Sequence, residues 1–201
     1  MPWHKNGMNT IPQDRMGPEA LIGLVRGRIN RPIVLVGPMG AGKSRLGRRL
    51  GQVLGLPFVD SDDEVERAAG MRIPEIFATL GEPAFRDGEA RVIRRLLDNG
   101  EQVISTGGGA VMRPETADLI WAQSISIWVR ADLAILAERT RNGRPRPLLA
   151  GKDPEQVLRD LSVIRDPVYA RAMIQVDTGS GDDDAIMMQA LRGLQDLLGD
   201  M

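Results

Sequence analysis

The chain of 201 residues is 42% hydrophobic and 26% charged, with a formal net charge of −1. That length suits one domain with a sizeable core, and the balanced charge speaks against nucleic acid or a membrane surface as the main partner. The lack of cysteine excludes a disulfide framework and a thiolate metal site, and no apolar run approaches the roughly 20 residues of a membrane span.

Residues 1 to about 17 are polar, punctuated by Gly7, Pro12 and Gly17, and read as a loose tail. They carry neither the apolar h-region of a signal peptide nor a serine-rich leader, so a cytoplasmic location is expected. Leu21, Ile22, Leu24, Val25 and Ile29 then give a short helical pattern before Pro32. The division predicted is a tail and short helix over 1–30, followed by a single domain over 31–201.

An apolar run, Ile33 to Val36, leads into GPMGAGKS, Gly37 to Ser44, and a helical pattern over Ser44–Leu54 follows. Strand, G-x-x-x-x-G-K-S and helix in that order describe a phosphate-binding loop. Glycines let the backbone wrap an anion, so main-chain N–H groups and the positive end of the next helix meet phosphate oxygens. Lys43 would reach the β- and γ-phosphates and the Ser44 hydroxyl would ligate Mg²⁺. A glycine-rich turn that binds nothing is the bland alternative, and it leaves the joint register of both glycines, Lys43 and Ser44 unexplained. The chain is expected to bind a nucleoside triphosphate.

A second strand, Phe58–Asp60, runs into Asp60-Ser61-Asp62-Asp63 at the same sheet edge. Phosphoryl transfer to a hydroxyl needs one carboxylate for the metal and another for the acceptor's proton. Alternation sends Asp60 and Asp62 the same way, and their place at the sheet edge favours function over the capping of a helix start that aspartates also perform. Helical patterns follow over Asp62–Ala69, Ile73–Leu80 and Pro83–Asn99. In the last of these Arg86 and Glu89 stand three apart, so that Glu89 can brace the guanidinium.

The strand Val103–Ser105 opens STGGGAV, where three successive glycines suggest close approach of a ligand to backbone. A helix over Thr116–Trp121, a strand over Ile125–Val129 and a helix over Asp132–Thr140 come next. The segment 141–153 carries two prolines, two glycines and three arginines, and reads as an arginine-bearing lid. Beyond a helix over Pro154–Ile164, RDPVYAR supplies Arg165 and Arg171. A strand over Ile174–Val176 and an amphipathic helix over Asp183–Leu198 complete the pattern. His4 lies in the tail, and Trp121 and Trp128 read as packing. Strands alternating with helices predict an α/β fold, a parallel sheet covered on both faces.

In order and spacing these segments closely resemble the shikimate kinase family from about Pro32 to Thr178. GPMGAGKS is similar to its phosphate loop, FVDSDDEVE to its Asp-x-Asp segment and IFATLGEPAFRDGE to its acceptor-site helices. STGGGAV is similar to its glycine turn, RPLLAG to its lid and RDPVYARA to the segment after it. The resemblance implies a three-layer P-loop kinase fold with a five-stranded parallel sheet and a lid, like the nucleoside monophosphate kinases. It implies ATP- and Mg²⁺-dependent phosphorylation of the 3-hydroxyl of shikimate, on the route to chorismate and the aromatic amino acids.

Carried over by position, Gly40, Ala41, Gly42, Lys43, Ser44 and Arg45 would hold ATP, with Arg139 against adenine and Arg146 on the transferring phosphate. Arg144 is a second lid cation that could reach it. Asp62 would bind the acceptor hydroxyls and act as base, so Asp62, Lys43 and Arg146 form the catalytic set. Arg86 and Arg171 would grip the shikimate carboxylate, Gly107, Gly108 and Gly109 would line the ring's site, and Phe77 and Phe85 its wall. Ser44 would bind Mg²⁺ directly, Asp60 and Ser105 through water. Arg86 and Arg171 at one end and Asp62 at the other suit an acceptor with one carboxylate and several hydroxyls. A nucleotide acceptor would bring its own phosphate charge near Asp62, which is unfavourable. The partners expected are ATP and shikimate, without nucleic acid or membrane, and the chain is expected to be a monomer. Gluconate kinase is the nearest rival, since gluconate also offers a carboxylate and hydroxyls. A non-catalytic sensor would have lost Asp62, Lys43 or the lid arginine.

Overall fold

The computed structural model describes residues 17–141, 149, 151–179 and 181–199. Five strands form one sheet: β1 (Ile33–Val36), β2 (Phe58–Asp60), β3 (Val103–Ser105), β4 (Ile125–Arg130) and β5 (Ile174–Asp177). Their order is β2-β3-β1-β4-β5, and every pairing is parallel. The helices are α1 (Pro18–Arg26), α2 (Lys43–Leu54), α3 (Ser61–Ala69), α4 (Ile73–Thr79), α5 (Gly81–Leu97), α6 (Pro114–Gln123), α7 (Leu133–Arg141), α8 (Pro154–Tyr169) and α9 (Asp183–Gly199). None of them is long and apolar enough to cross a membrane.

All four residues of β1 are buried because the strand has helices on both sides. Ile33 and Leu35 enter one core with α1, α2, α7 and α9, while Val34 and Val36 enter the other with α3, α4, α5 and α6. This is the expected three-layer α/β arrangement. The register sets Asp60 and Leu35 on either side of Ser105, which aligns the carboxyl ends of β1, β2 and β3. Loops leaving those ends share one edge, where ligands bind in open parallel sheets.

Two elements differ from expectation in extent. Helix α8 runs to Tyr169 rather than Ile164, straight through Pro167. The carbonyl that Pro167 cannot serve belongs to Val163, an exposed residue, and the helix closes beyond it with Ala170 N–H on the Asp166 carbonyl at 2.9 Å. Buried Arg165 and Tyr169 anchor that last turn. Helix α1 is no loose appendage. Leu21 and Val25 are fully buried in the same core as Leu191 and Leu194 of α9, and Arg28 Nη1 donates to the Leu198 carbonyl. The short helix predicted after the tail therefore packs on the domain, and residues 1–16 lie outside the described residues.

Candidate active site

The phosphate loop is built as its spacing predicts. Gly40 (φ +80°) and Gly42 (φ +88°) adopt conformations that disfavour side chains, and Gly42 leads directly into α2 without a side-chain cap. The first N–H groups of α2 are thus presented to the loop's hollow. Lys43 is buried, and its Nζ donates to the Gly37 and Pro38 carbonyls, each at 2.8 Å.

Ser44 Oγ donates to Asp60 Oδ2 at 2.6 Å and stands 3.2 Å from Ser105 Oγ. Asp60 caps α3, its Oδ1 accepting the Asp62 N–H at 3.1 Å, while its Oδ2 accepts from Ser44. The expected metal trio, Ser44, Asp60 and Ser105, is therefore one cluster of oxygens. One carboxylate and two hydroxyls form a hard donor set that suits Mg²⁺ completed by phosphates and water. No group of three or more acidic, His or Cys side chains that could cage a metal by itself exists among the described residues.

Asp62 lines the same cavity as Gly40, Gly42, Lys43, Ser44, Ser105 and Arg139. Arg139 donates from Nη1 to Thr178 Oγ1 at 3.0 Å and from Nη2 to the Thr178 carbonyl at 2.9 Å. It also faces a second hollow with Gly42, Arg45 and Ile186, where Arg45 pairs with Asp183 at 2.6 Å. Arg139 and Arg45 thus stand at the far end of the phosphate cavity.

Across from the loop, the glycine turn is tied to β1 by Thr106, whose N–H and hydroxyl both donate to the Leu35 carbonyl. Its three glycines are explained by three contacts. A Cβ on Gly107 would lie 2.7 Å from Asp62 Oδ1 and 2.9 Å from Glu89 Oε1. One on Gly108 would meet Met39 N at 3.3 Å and Arg165 Nη1 at 3.5 Å, and one on Gly109 would lie 2.6 Å from both Arg86 Nη atoms. A ligand was expected to approach this turn closely; the groups that crowd its glycines here are the chain's own acids and guanidiniums.

Arg86 is held by Glu89 Oε2 at 2.8 Å and by Glu82 Oε1 at 3.1 Å. Burial opposes its charge, but Glu89 and then Glu82 outweigh that and hold it above its ordinary value. Glu89 is almost wholly buried, with Oε1 lacking a hydrogen-bond partner among the described residues. Burial pushes its carboxyl up, only partly offset by Arg86 and Arg165. Phe85 lies under the Arg86 guanidinium with Phe77 against it, ring centroids 4.8 Å apart.

One expected partner is corrected. Arg171 is not brought to Arg86: its guanidinium is more than half exposed, pairs with Asp118 at 3.6 Å and lies over Trp121 on α6. Arg165 takes that place, buried, with Nη1 donating to the Gly108 carbonyl at 3.0 Å. The signal for it was the i, i+4 spacing of Arg165 and Tyr169, hidden because Pro167 reads as a helix end. Arg144, Arg146 and most of the expected lid lie outside the described residues.

A phosphate loop on β1, acidic and hydroxyl oxygens beside it and a parallel sheet in this strand order define a P-loop kinase. The sequence model of the shikimate kinase family matches residues 39–195. A shikimate kinase from Caulobacter vibrioides is 57% identical over 149 residues, which are 74% of this chain and 74% of that protein. Among solved structures, a shikimate kinase from Acinetobacter baumannii in complex with shikimate has a TM-score of 0.79 at 38% identity, covering 86% of this chain and 96% of that one. A gluconokinase from Sinorhizobium meliloti 1021, at 19% identity and a TM-score of 0.56 over 86% of this chain and 96% of that one, shares the fold alone. The chain belongs to the shikimate kinase family.

Proposed function

We propose that this chain transfers the γ-phosphoryl group of ATP to the 3-hydroxyl of shikimate. The observation that carries the reading is the turn Gly107–Gly109, whose successive glycines lie against Asp62, Arg165 and Arg86, with Asp62 lining the phosphate-loop cavity. An acceptor with a carboxylate at one end and hydroxyls at the other meets a matching charge at each. Arg86 and Arg165 grip the carboxylate, Phe77 and Phe85 wall the ring, and Asp62 aligns the reacting hydroxyl.

In the transfer, the acceptor oxygen forms a bond to the γ-phosphorus as the bond from that phosphorus to the ADP oxygen breaks. The hydroxyl proton passes to Asp62. Loop N–H groups and Lys43 hold the β- and γ-phosphates, with Arg139 and Arg45 on the nucleoside side. Ser44, Asp60 and Ser105 are the residues that would hold Mg²⁺, which when bound neutralises charge on the phosphate oxygens. Arg146 keeps the role its lid position implies. A monomeric state and a cytoplasmic location are part of the proposal.

ADP release measured with shikimate, gluconate and AMP as acceptors tests the reading. Turnover with shikimate alone is expected, and turnover with gluconate but not shikimate overturns it.

A further inference from the structure

We infer that Tyr169 is a positioning residue for the acceptor site, its hydroxyl fastening the Gly108 carbonyl and the Arg165 guanidinium to one another. The inference rests on the acceptor-site reading above. Tyr169 ends α8, one turn beyond Arg165, and is 1% exposed. Its hydroxyl donates to the Gly108 carbonyl, which also accepts Arg165 Nη1 at 3.0 Å. Both lone pairs of that oxygen are therefore used, by two side chains of one helix face.

Fixing this carbonyl does more than satisfy it. The peptide is planar and trans, so the direction of the Gly108 C=O sets the opposite direction of the Gly109 N–H. Gly109 is in turn the seat of the Arg86 guanidinium. One hydroxyl thus governs the placement of both cations that face the acceptor carboxylate. The Trp128 ring stands tilted at 36° with its centroid 6.1 Å from that of Tyr169, and holds the phenol at this angle. Burial, opposed by the pull of Arg165, pushes the phenol up to about 12, so it stays a donor at any working pH.

A bare ring at this position would fill the same space in the core. Packing alone therefore does not account for the hydroxyl, and its loss should leave the fold largely intact while freeing Arg165 to swing.

Tyr169→Phe separates the two roles. The KM for shikimate should rise about tenfold, the worth of one well-placed hydrogen bond. The KM for ATP and the thermal midpoint should stay where they were. Arg165→Ala, measured alongside, tests the underlying reading: if it leaves the shikimate KM unchanged, the acceptor-site assignment fails. If Arg165→Ala raises that KM and Tyr169→Phe does not, only the present inference fails. Equal rises in both KM values with a large drop in Tm mark a packing role and also overturn it. In the double variant the two effects should combine to less than their product, since the hydroxyl acts through Arg165.

Tyr169 is the chain's single tyrosine, so 3-fluorotyrosine fed during expression labels this position alone. Its fluorine resonance should move on addition of shikimate and hold still on addition of ADP. This readout carries the test should the Phe variant fail to fold. A resonance indifferent to saturating shikimate overturns the inference.

Discussion

Gly109→Ala isolates the placement of a charge from its presence. Gly109 has φ −103° and ψ −3°, a conformation open to alanine, so the backbone is not strained by the change. The added methyl would lie 2.6 Å from Nη1 and Nη2 of Arg86 and 2.8 Å from Cζ, where ordinary contact begins at 3.4 Å. The guanidinium must retreat by roughly 1 Å, and a misplacement of that size costs about 10²-fold, or about 2.7 kcal/mol of transition-state binding. Because the displaced group is the free end of a flexible side chain, global stability should change little. Steady-state ADP release, with shikimate varied at saturating ATP and then the reverse, should show kcat/KM for shikimate falling while that for ATP is retained. Gly108→Ala is the internal control, since the atoms nearest its methyl are Met39 N at 3.3 Å and Arg165 Nη1 and the Gly37 carbonyl oxygen, each at 3.5 Å. It should be the milder of the two. A Gly109→Ala enzyme with unaltered shikimate kinetics would refute the claim that this turn seats Arg86.

Asp62→Asn should leave ATP binding nearly intact and cut turnover by about 10²–10⁴-fold, the usual worth of a general base, as read by single-turnover phosphorylation. Arg171→Ala should leave the shikimate KM unchanged in the same assay in which Arg86→Ala raises it strongly, because Arg171 reaches Asp118 and not the acceptor chamber. Glu89 takes up its proton at a higher pH when folded than unfolded, so protonated Glu89 favours the fold and that contribution is lost as pH rises through the raised value. Protonation also removes one of the two carboxylate partners of Arg86, leaving Glu82, in a neighbourhood that includes Arg165 and Asp62. The shikimate KM should therefore climb as pH falls toward that value, and Glu89→Gln should show a high KM at neutral pH with no such climb. Leu21→Ala, at a fully buried position of α1, should cost about 2–5 kcal/mol in denaturant unfolding, whereas a dispensable tail would show no loss.

Local chemistry was the most legible part of this chain. The run from Ile33 to Ser44 specifies strand, turn and helix within a dozen residues; Asp60 and Asp62 do share the cavity, but the first turn of α3, not strand alternation, carries Asp62 there. The glycine turn could be recognised as a place of close approach, but not what approaches, because Asp62, Arg86 and Arg165 arrive from three different helices. Arg165 lies inside α8 while Arg171 falls just beyond its end, and Pro167 between them hides the fact that the helix continues to Tyr169. The docking of α1 was invisible for a similar reason. Its apolar face packs against α2 and against α9, the latter more than 150 residues away in the chain.

The ammonium of Lys43, resting on two carbonyls of its own loop, has a thermodynamic consequence. Filling the loop with a polyphosphate is an exchange of bonds rather than an addition, so the net gain is a difference between similar charge-assisted contacts. A spent diphosphate can leave by the same exchange run backwards, the cation returning to an acceptor already in place. The cradle keeps its shape between one turnover and the next, and repeated cycling does not require it to be rebuilt.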